Sequence, residues 1–206
     1  MARVKTRRYS PRRPREERRE ELLDAALRVL DGDGFGGLTM EGVAREADLA
    51  KTVVYDTFGN RDELLRSLLA REQERAVSAL AAALPRPPLG DDPRRILAQA
   101  LTTLLESVRE HPETGRLILL PSEGTPPAVR DAVDANREIL VNEVEPIVAW
   151  GLNRLGAGHL DAELATSALV ASGESAIRLT LTQPDRFPPR RFADFAADVA
   201  AAIATR

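Results

Sequence analysis

The chain has 206 residues, with 29 Lys and Arg against 32 Asp and Glu, 43% hydrophobic residues and no cysteine. This length fits one large or two small domains with a substantial core. The lack of cysteine excludes a disulfide scaffold, a cysteine nucleophile and thiolate metal sites. No stretch reaches the roughly 18 consecutive apolar residues of a membrane span, and the basic N-terminus lacks an apolar signal core, so we expect a cytoplasmic protein.

Positive charge is concentrated at the N-terminus. Residues 1–15 carry seven basic and no acidic side chains, which leaves 22 basic against 32 acidic side chains in the rest of the chain. A basic arm on an acidic body is typical of a protein whose arm contacts nucleic acid. The alternative is a solvated, disordered tail, because Pro11 and Pro14 among arginines oppose regular structure.

Helical periodicity runs through almost the whole chain, and strand patterns are nearly absent. A first helix is expected to stop at Asp31, and Asn60, Asp92 and Asp161 are expected to cap later helices. Pro146 falls inside the seventh helix, where we expect a kink rather than a stop. The pattern predicts nine helices and no sheet, at about 16–30, 39–47, 50–58, 60–84, 93–110, 113–120, a helix of about 28 residues ending near 156, 162–183, and a last helix after 189.

The second and third predicted helices form a helix-turn-helix pattern. Ala44 is the small residue that such packing needs in the first of these helices, and Val54 is the apolar anchor in the second. The turn requires a residue that tolerates positive φ, and Asp48 stands where glycine is usual. Thr39 is placed to cap the first helix. The pattern therefore predicts a DNA-binding unit.

Three short motifs carry a family resemblance: G-F-x-x-x-T at 34–39, A-x-x-A at 44–47 and Y-x-x-F at 55–58. With the long helix before them and the capped helix after them, they resemble the N-terminal signature of the TetR family of bacterial transcriptional regulators. The resemblance covers about 50 residues, from Arg15 to Leu65. Beyond residue 65 it concerns the architecture alone.

The resemblance implies an all-α fold in three parts. These are a basic disordered arm (1–15), a three-helix helix-turn-helix DNA-binding domain (16–63) and a helical-bundle domain for ligand binding and dimerisation (64–206). It also implies a homodimer that represses by occupying a palindromic operator in double-stranded DNA until a small-molecule effector releases it. Two alternatives stay open: a regulator that activates or lacks a small-molecule effector, and a helical ligand-binding protein without specific DNA binding. Motifs for a nucleophile, a phosphate loop or a metal are missing from the sequence, so we expect no enzyme activity, cofactor or metal.

The DNA contacts follow from the resemblance, position by position. The exposed face of the third helix supplies candidate base contacts, namely Lys51, Thr52, Val53 and Asp56. Candidate phosphate contacts are Thr39, Tyr55, Arg61 and, in the arm, Arg12 and Arg13. The sequence departs from the family at Gly59, where a basic residue is common, and at Ala50, which cannot cap the third helix.

The resemblance places an effector cavity among helices 4 to 8. Candidate wall residues, each of which also suits a plain bundle core, are Leu101, Leu105, Leu117, Leu120, Ile147, Trp150, Val170, Glu174 and Ile177. For Glu174 the alternatives are a buried carboxylate that orients a ligand and an ion pair with Arg178. The last two helices of each subunit are predicted to form the dimer interface, and the alternative is that they form intramolecular core. The predicted interface residues are Ala168, Ala171, Ser172, Ser175, Phe192, Phe195 and Val199.

Overall fold

The computed structural model describes residues 14–86, 89–90, 92–119 and 127–204. This part of the chain folds into nine α-helices and contains no strand, which confirms the predicted all-α fold. The helices are α1 (Arg15–Gly37), α2 (Met40–Glu46), α3 (Lys51–Phe58), α4 (Arg61–Ala83), α5 (Pro93–Glu110), α6 (Pro112–Leu119), α7 (Pro127–Arg154), α8 (Ala162–Thr182) and α9 (Pro189–Ala204). The predicted phosphate contacts Arg12 and Arg13 lie outside the described residues, as does Leu120.

The chain divides into two compact units, a first unit that ends at Leu68 and a second unit that begins at Leu69. The boundary falls inside α4, a little beyond the predicted limit at residue 63. The second unit therefore contains the C-terminal part of α4 and all of α5 to α9. None of the helices described is both long and apolar enough to cross a membrane.

Helix α1 is longer than the sequence predicts. The expected stop at Asp31 does not occur, and helical structure continues to Gly37 with one interruption at Gly34, where φ is 69° and ψ is −174°. That conformation is essentially restricted to glycine, so two helical segments meet at Gly34. The predicted apolar stripe of α1, including Leu22 and Leu30, is buried as expected.

The four predicted N-caps are present at the starts of α2, α4, α5 and α8. Thr39, Asn60, Asp92 and Asp161 use a side-chain oxygen to accept a hydrogen bond from a backbone N–H in the first turn. Their donors are Gly42, Glu63, Arg94 and Leu164, at 3.0, 2.9, 3.0 and 3.1 Å. Each such cap contributes about 1 kcal/mol to helix stability. Ala50, as expected, makes no side-chain cap for α3.

The second unit packs around α5 and α8. Helix α5 lies against α9, α8 lies against α7, and α6 lies against both α5 and α8. Gly115 permits the close approach of α6, because a Cβ at this position would lie 3.2 Å from Leu181 Cδ1 and 3.3 Å from Val108 Cγ1. Helix α7 runs through Pro146 without a stop, as predicted. A core cluster of this unit consists of Leu105, Val108, Ala176 and Ile177.

Candidate functional site

Helices α2 and α3 form a helix-turn-helix. Ala44 of α2 and Val54 and Phe58 of α3 are buried, which fixes the inner faces of both helices. The turn between them places Asp48 at φ 52°, and the Leu49 N–H then donates to the Ala44 carbonyl at 2.9 Å. The predicted positive φ at Asp48 is therefore confirmed. Aspartate tolerates this conformation better than most residues other than glycine.

The face of α3 opposite Val54 and Phe58 is open to solvent. Lys51, Thr52 and Asp56 are exposed, the Tyr55 side chain is 40% exposed, and Val53 is half-buried. These residues are the four predicted base contacts and one predicted phosphate contact. A short helix with one anchored face and one polar, exposed face has the form needed for insertion into a major groove.

Lys51 has two partners that the sequence analysis missed. Its ammonium forms an ion pair with Glu41 in the first turn of α2 and lies 5.3 Å from the centre of the Tyr55 ring. The hydrogen bond between Lys51 and Glu41 raises the pKa of Lys51 and lowers the pKa of Glu41. Lys51 is therefore held charged on the exposed surface of the helix-turn-helix, beside Tyr55.

Arg61 links the start of α4 to the end of α1 and to the α1–α2 connection. Its Nε donates to the Leu38 carbonyl at 2.7 Å, and its Nη2 donates to the Phe35 carbonyl at 2.6 Å. A guanidinium has five N–H groups, so these two bonds are compatible with the predicted phosphate contact. Thr39 caps α2 and is also exposed, so its cap is compatible with the phosphate contact predicted for it. Nothing in the sequence spacing indicated the structural bonds of Arg61.

The second unit contains a large, open cavity of about 1190 Å³. Typical ligand pockets have volumes of about 300–1,000 Å³. Its lining is mostly apolar and includes six of the predicted wall residues, namely Leu101, Ile147, Trp150, Val170, Glu174 and Ile177. Leu105 and Leu117 are instead buried in the packed core and are not part of the wall, because they lie on the inward-packed sides of α5 and α6.

Glu174 differs from both of its predicted settings. Its Oε1 accepts a bond from Arg137 Nε of α7 at 2.6 Å, and the Glu174 side chain is 40% exposed. The predicted pair with Arg178 is wrong, because the packing of α7 on α8 places Arg137 opposite Glu174. Both members of this ion pair line the cavity.

A buried carboxylate in α4 escaped the sequence analysis. Glu72 is fully buried and accepts hydrogen bonds from Arg71 Nε at 2.7 Å, Arg75 Nη1 at 3.1 Å and Thr114 Oγ1 at 2.5 Å. Its place four residues after Leu68 puts it on the apolar stripe of α4, and that spacing is the signal by which it was detectable. Arg75 and Thr114 also line the cavity.

The predicted dimer face of α8 and α9 is largely exposed in the single chain. Phe195 is 67% exposed and Val199 is 43% exposed. Phe192 is half-buried, stacks on Phe187 with ring centres 5.9 Å apart, and packs against the core cluster of the second unit. Phe192 thus has an intramolecular role as well. The predicted small residues of α8 are also exposed, namely Ala168, Ala171, Ser172 and Ser175.

Metal-binding groups are not assembled in the part of the chain that the structure describes, where no three His, Asp or Glu side chains are grouped so as to hold an ion. The arrangement of α1 to α3 defines a helix-turn-helix protein. Residues 22–68 match the sequence profile described as "Bacterial regulatory proteins, tetR family". The match covers 47 of the 206 residues, so it assigns the helix-turn-helix unit, and not the whole chain, to this family.

Relatives and solved structures agree with this assignment. The chain is 42% identical over 74 residues to the HTH-type transcriptional regulator BetI of Rhizobium meliloti, covering 34% of this chain and 36% of the relative. It is 29% identical over 138 residues to the HTH-type transcriptional activator FasR of Mycolicibacterium smegmatis, covering 67% of this chain and 62% of the relative. The chain thus spans less than two thirds of both relatives. A TetR-like transcriptional regulator from Rhodococcus sp. RHA1 superposes with a TM-score of 0.68 and 29% identity, over 95% of this chain and 97% of that one.

Proposed function

We propose that this chain is a sequence-specific, DNA-binding transcriptional repressor that a small-molecule effector releases from a palindromic operator. The observation that carries the proposal is the exposed, polar face of α3, which is held by the buried anchors Val54 and Phe58. An α-helix presented in this way fits the width of the major groove of B-DNA. As a regulator of this kind the protein acts in the cytoplasm and catalyses no reaction.

Base recognition in this proposal belongs to α3. Lys51 donates to guanine O6 or N7, Val53 packs on a thymine methyl, and Asp56 accepts from cytosine N4, while Thr52 contacts an adjacent base. Lys51 is the sharpest case because its ammonium lies on the exposed surface beside Glu41. The charge of Glu41 opposes nearby phosphates, so its presence favours a base edge over the DNA backbone as the acceptor for Lys51.

Phosphate contacts are made on both sides of α3. Thr39 stands at the N-terminus of α2, Tyr55 projects from α3, and Arg61 opens α4. A helix N-terminus, a phenol and a guanidinium each donate hydrogen bonds to phosphate oxygens. Arg12 and Arg13 of the basic arm displace counterions from the DNA phosphates, and the release of these ions favours binding.

The second unit supplies the effector site and the dimer contact. Its cavity of about 1190 Å³ accommodates a small molecule, and α4 belongs both to this unit and to the helix-turn-helix unit. A ligand that favours one position of α4 favours one spacing of the two reading helices in a dimer. Phe195 and Val199 are exposed apolar groups that also line this cavity, and a second copy covers them.

Activation rather than repression is the second candidate, and one comparison favours it. FasR, which matches 67% of this chain, is named a transcriptional activator. The same DNA contacts serve both outcomes, because the sign of regulation depends on where the operator lies in the promoter. Transcription in vitro from a promoter that carries the selected operator distinguishes the two functions.

The proposal is tested by fluorescence anisotropy with a selected operator and a scrambled duplex, over a range of salt concentrations. The wild-type protein is expected to prefer the operator by at least about 10³-fold. Lys51→Ala relaxes the preference for one base pair, by about 1–3 kcal/mol, whereas Arg109→Gln on the exposed surface of α5 changes neither affinity nor preference. Equal affinity for both duplexes contradicts the proposal.

The dimer is tested separately by light scattering. Phe195→Asp and Ser175→Asp place charges in the predicted interface and are expected to give monomers. The matched control is Arg190→Asp, because the Arg190 side chain is 90% exposed on the same helix as Phe195. An unchanged mass for all three variants removes the interface from the proposal.

A further inference from the structure

Four contacts locate the two ends of the cavity of the second unit. At the α6 end, Thr114 bonds Glu72 of α4 at 2.5 Å, and a Cβ on the adjacent Gly115 would lie 3.3 Å from Val108 near the end of α5. At the other end, a Cβ on Gly151 near the end of α7 would lie 3.6 Å from Pro93 Cβ at the start of α5. The end of α7, near Gly151, lies at this other end of the cavity. The Arg137–Glu174 pair, which Arg137 contributes from earlier in α7, therefore lies toward the α6 end.

Polar lining groups gather at the α6 end. Arg75, Ser107, His111 and Thr114 line the wall there. The far end is apolar, with Ile96, Leu97, Trp150 and Leu155 in the wall. The wall follows α5 from Pro93 to His111, a helix length of about 27 Å. The cavity is therefore elongated as well as amphipathic.

The charges at the α6 end favour an anion. Arg75 and His111 are nitrogen donors in the wall, while Arg137 and Glu174 neutralise each other at 2.6 Å. The carboxylate of Glu72 is fully buried and its oxygens already accept bonds from Arg71, Arg75 and Thr114. Glu143 lies farther along α7, about 9 Å of helix from Arg137.

Arg75 is held in place for this role. Its Nη1 bonds Glu72 at 3.1 Å, while its side chain is 44% exposed. A guanidinium in a fixed orientation binds a carboxylate or phosphate through short, charge-assisted hydrogen bonds, which are stronger than bonds between neutral groups. Thr114 of α6, which also lines the cavity, donates a hydrogen bond to the same carboxylate of Glu72. An anion at this place thus contacts a cluster that joins α4 to α6.

Resting on the proposed effector-binding function, we propose that the cavity binds an elongated amphipathic anion. Its anionic group is held by Arg75 and His111 at the α6 end, and its apolar body extends along α5 toward Trp150. The apolar length of the wall selects a long hydrocarbon chain or a fused-ring body over a compact polar molecule. The chain contains a single tryptophan, so Trp150 reports occupancy of the cavity directly.

The test titrates Trp150 fluorescence with dodecanoate, 1-dodecanol and dodecylammonium, all below their micellar concentrations and without DNA. Dodecanoate is expected to bind about tenfold more tightly than either of the others, because one charge-assisted hydrogen bond has about this effect. Equal binding of dodecanol or dodecylammonium, or no binding of any probe, overturns the proposal. DNA binding is measured separately, so failure of the ligand titration does not contradict the proposed DNA-binding function. Tight dodecanoate binding without operator binding contradicts the DNA-binding function alone.

Two variants locate the anionic group. Arg75→Gln is expected to weaken dodecanoate about tenfold and to leave dodecanol unchanged, whereas the control Arg109→Gln changes neither. Equal losses in both variants indicate a general charge effect and overturn the assignment to Arg75. If Arg75→Gln fails to fold by circular dichroism, His111→Ala replaces it, with a smaller loss for dodecanoate alone.

Brominated probes test the orientation in the wild-type protein. Bromine on the last carbon of dodecanoate is expected to quench Trp150 more strongly than bromine beside the carboxylate, because Trp150 neighbours Gly151 at the apolar end. The opposite order of quenching contradicts the proposed orientation.

Discussion

Replacing Thr114 with valine tests the buried polar cluster of the second unit. Thr114 is 7% exposed, and its hydroxyl donates to the fully buried Glu72 at 2.5 Å. Valine preserves the shape of the side chain but removes the donor, which leaves a buried carboxylate with one hydrogen bond fewer. A hydrogen bond to a charged group contributes about 1.5–3 kcal/mol. We therefore expect Thr114→Val to lower the free energy of unfolding by about 2 kcal/mol and Tm by about 4–8 °C.

The assay is urea unfolding followed by far-UV circular dichroism at one fixed protein concentration, because dimerisation makes stability depend on concentration. Thr114→Ser retains the hydroxyl and is expected to lose about 1 kcal/mol or less, from its missing methyl group. The matched control is Thr102→Val in α5, whose hydroxyl bonds the Ala98 carbonyl of its own helix at 2.9 Å. An unfolding midpoint for Thr114→Val equal to that of the wild type refutes the reasoning.

Three further predictions concern the first unit. Gly34→Ala is expected to lower the free energy of unfolding by about 1–3 kcal/mol, because φ is 69° there, whereas Gly36→Ala, which meets nothing within 4 Å, leaves it unchanged in the same urea assay. Asp48→Ala is expected to cost about 1 kcal/mol and Asp48→Gly nothing, since φ is 52°; equal midpoints for the two contradict this. Lys51→Met is expected to raise the pKa of Glu41, as measured by NMR titration, because the hydrogen bond with Lys51 lowers this pKa. The Lys51–Glu41 pair stabilises the fold above the ordinary carboxyl pKa, and this stabilisation is lost as the pH falls through the pKa of Glu41 in the folded protein.

Local signals in the sequence were sufficient for most of the fold. The caps at Thr39, Asn60, Asp92 and Asp161 act within one helical turn, so their residue types predicted the helix starts. The end of α1 was harder to predict. Aspartate and glycine at 31–33 resemble a stop, but the interruption comes only at Gly34, and helical structure resumes up to Gly37. Helix propensities are weak, so residue types alone do not fix where a helix ends.

The candidate site was predictable where one helix face carries it and not where distant segments meet. The exposed face of α3 follows from the spacing of Val54 and Phe58. By contrast, the spacing of Glu72 from Leu68 indicates an inward position, but nothing local indicates that its partner is Thr114, 42 residues away. The bonds of Arg61 to the carbonyls of Phe35 and Leu38 likewise join segments that are far apart in sequence.

Binding-site selection tests the central claim most directly. The full-length protein selects duplexes from a randomised pool at a fixed, near-physiological salt concentration, because affinities depend strongly on salt. We expect an enriched palindrome whose half-sites lie about one helical turn, or about 34–36 Å, apart, as a dimer with one α3 in each of two major grooves requires. Weak, salt-sensitive binding without any enriched sequence would contradict the claim that α3 reads DNA.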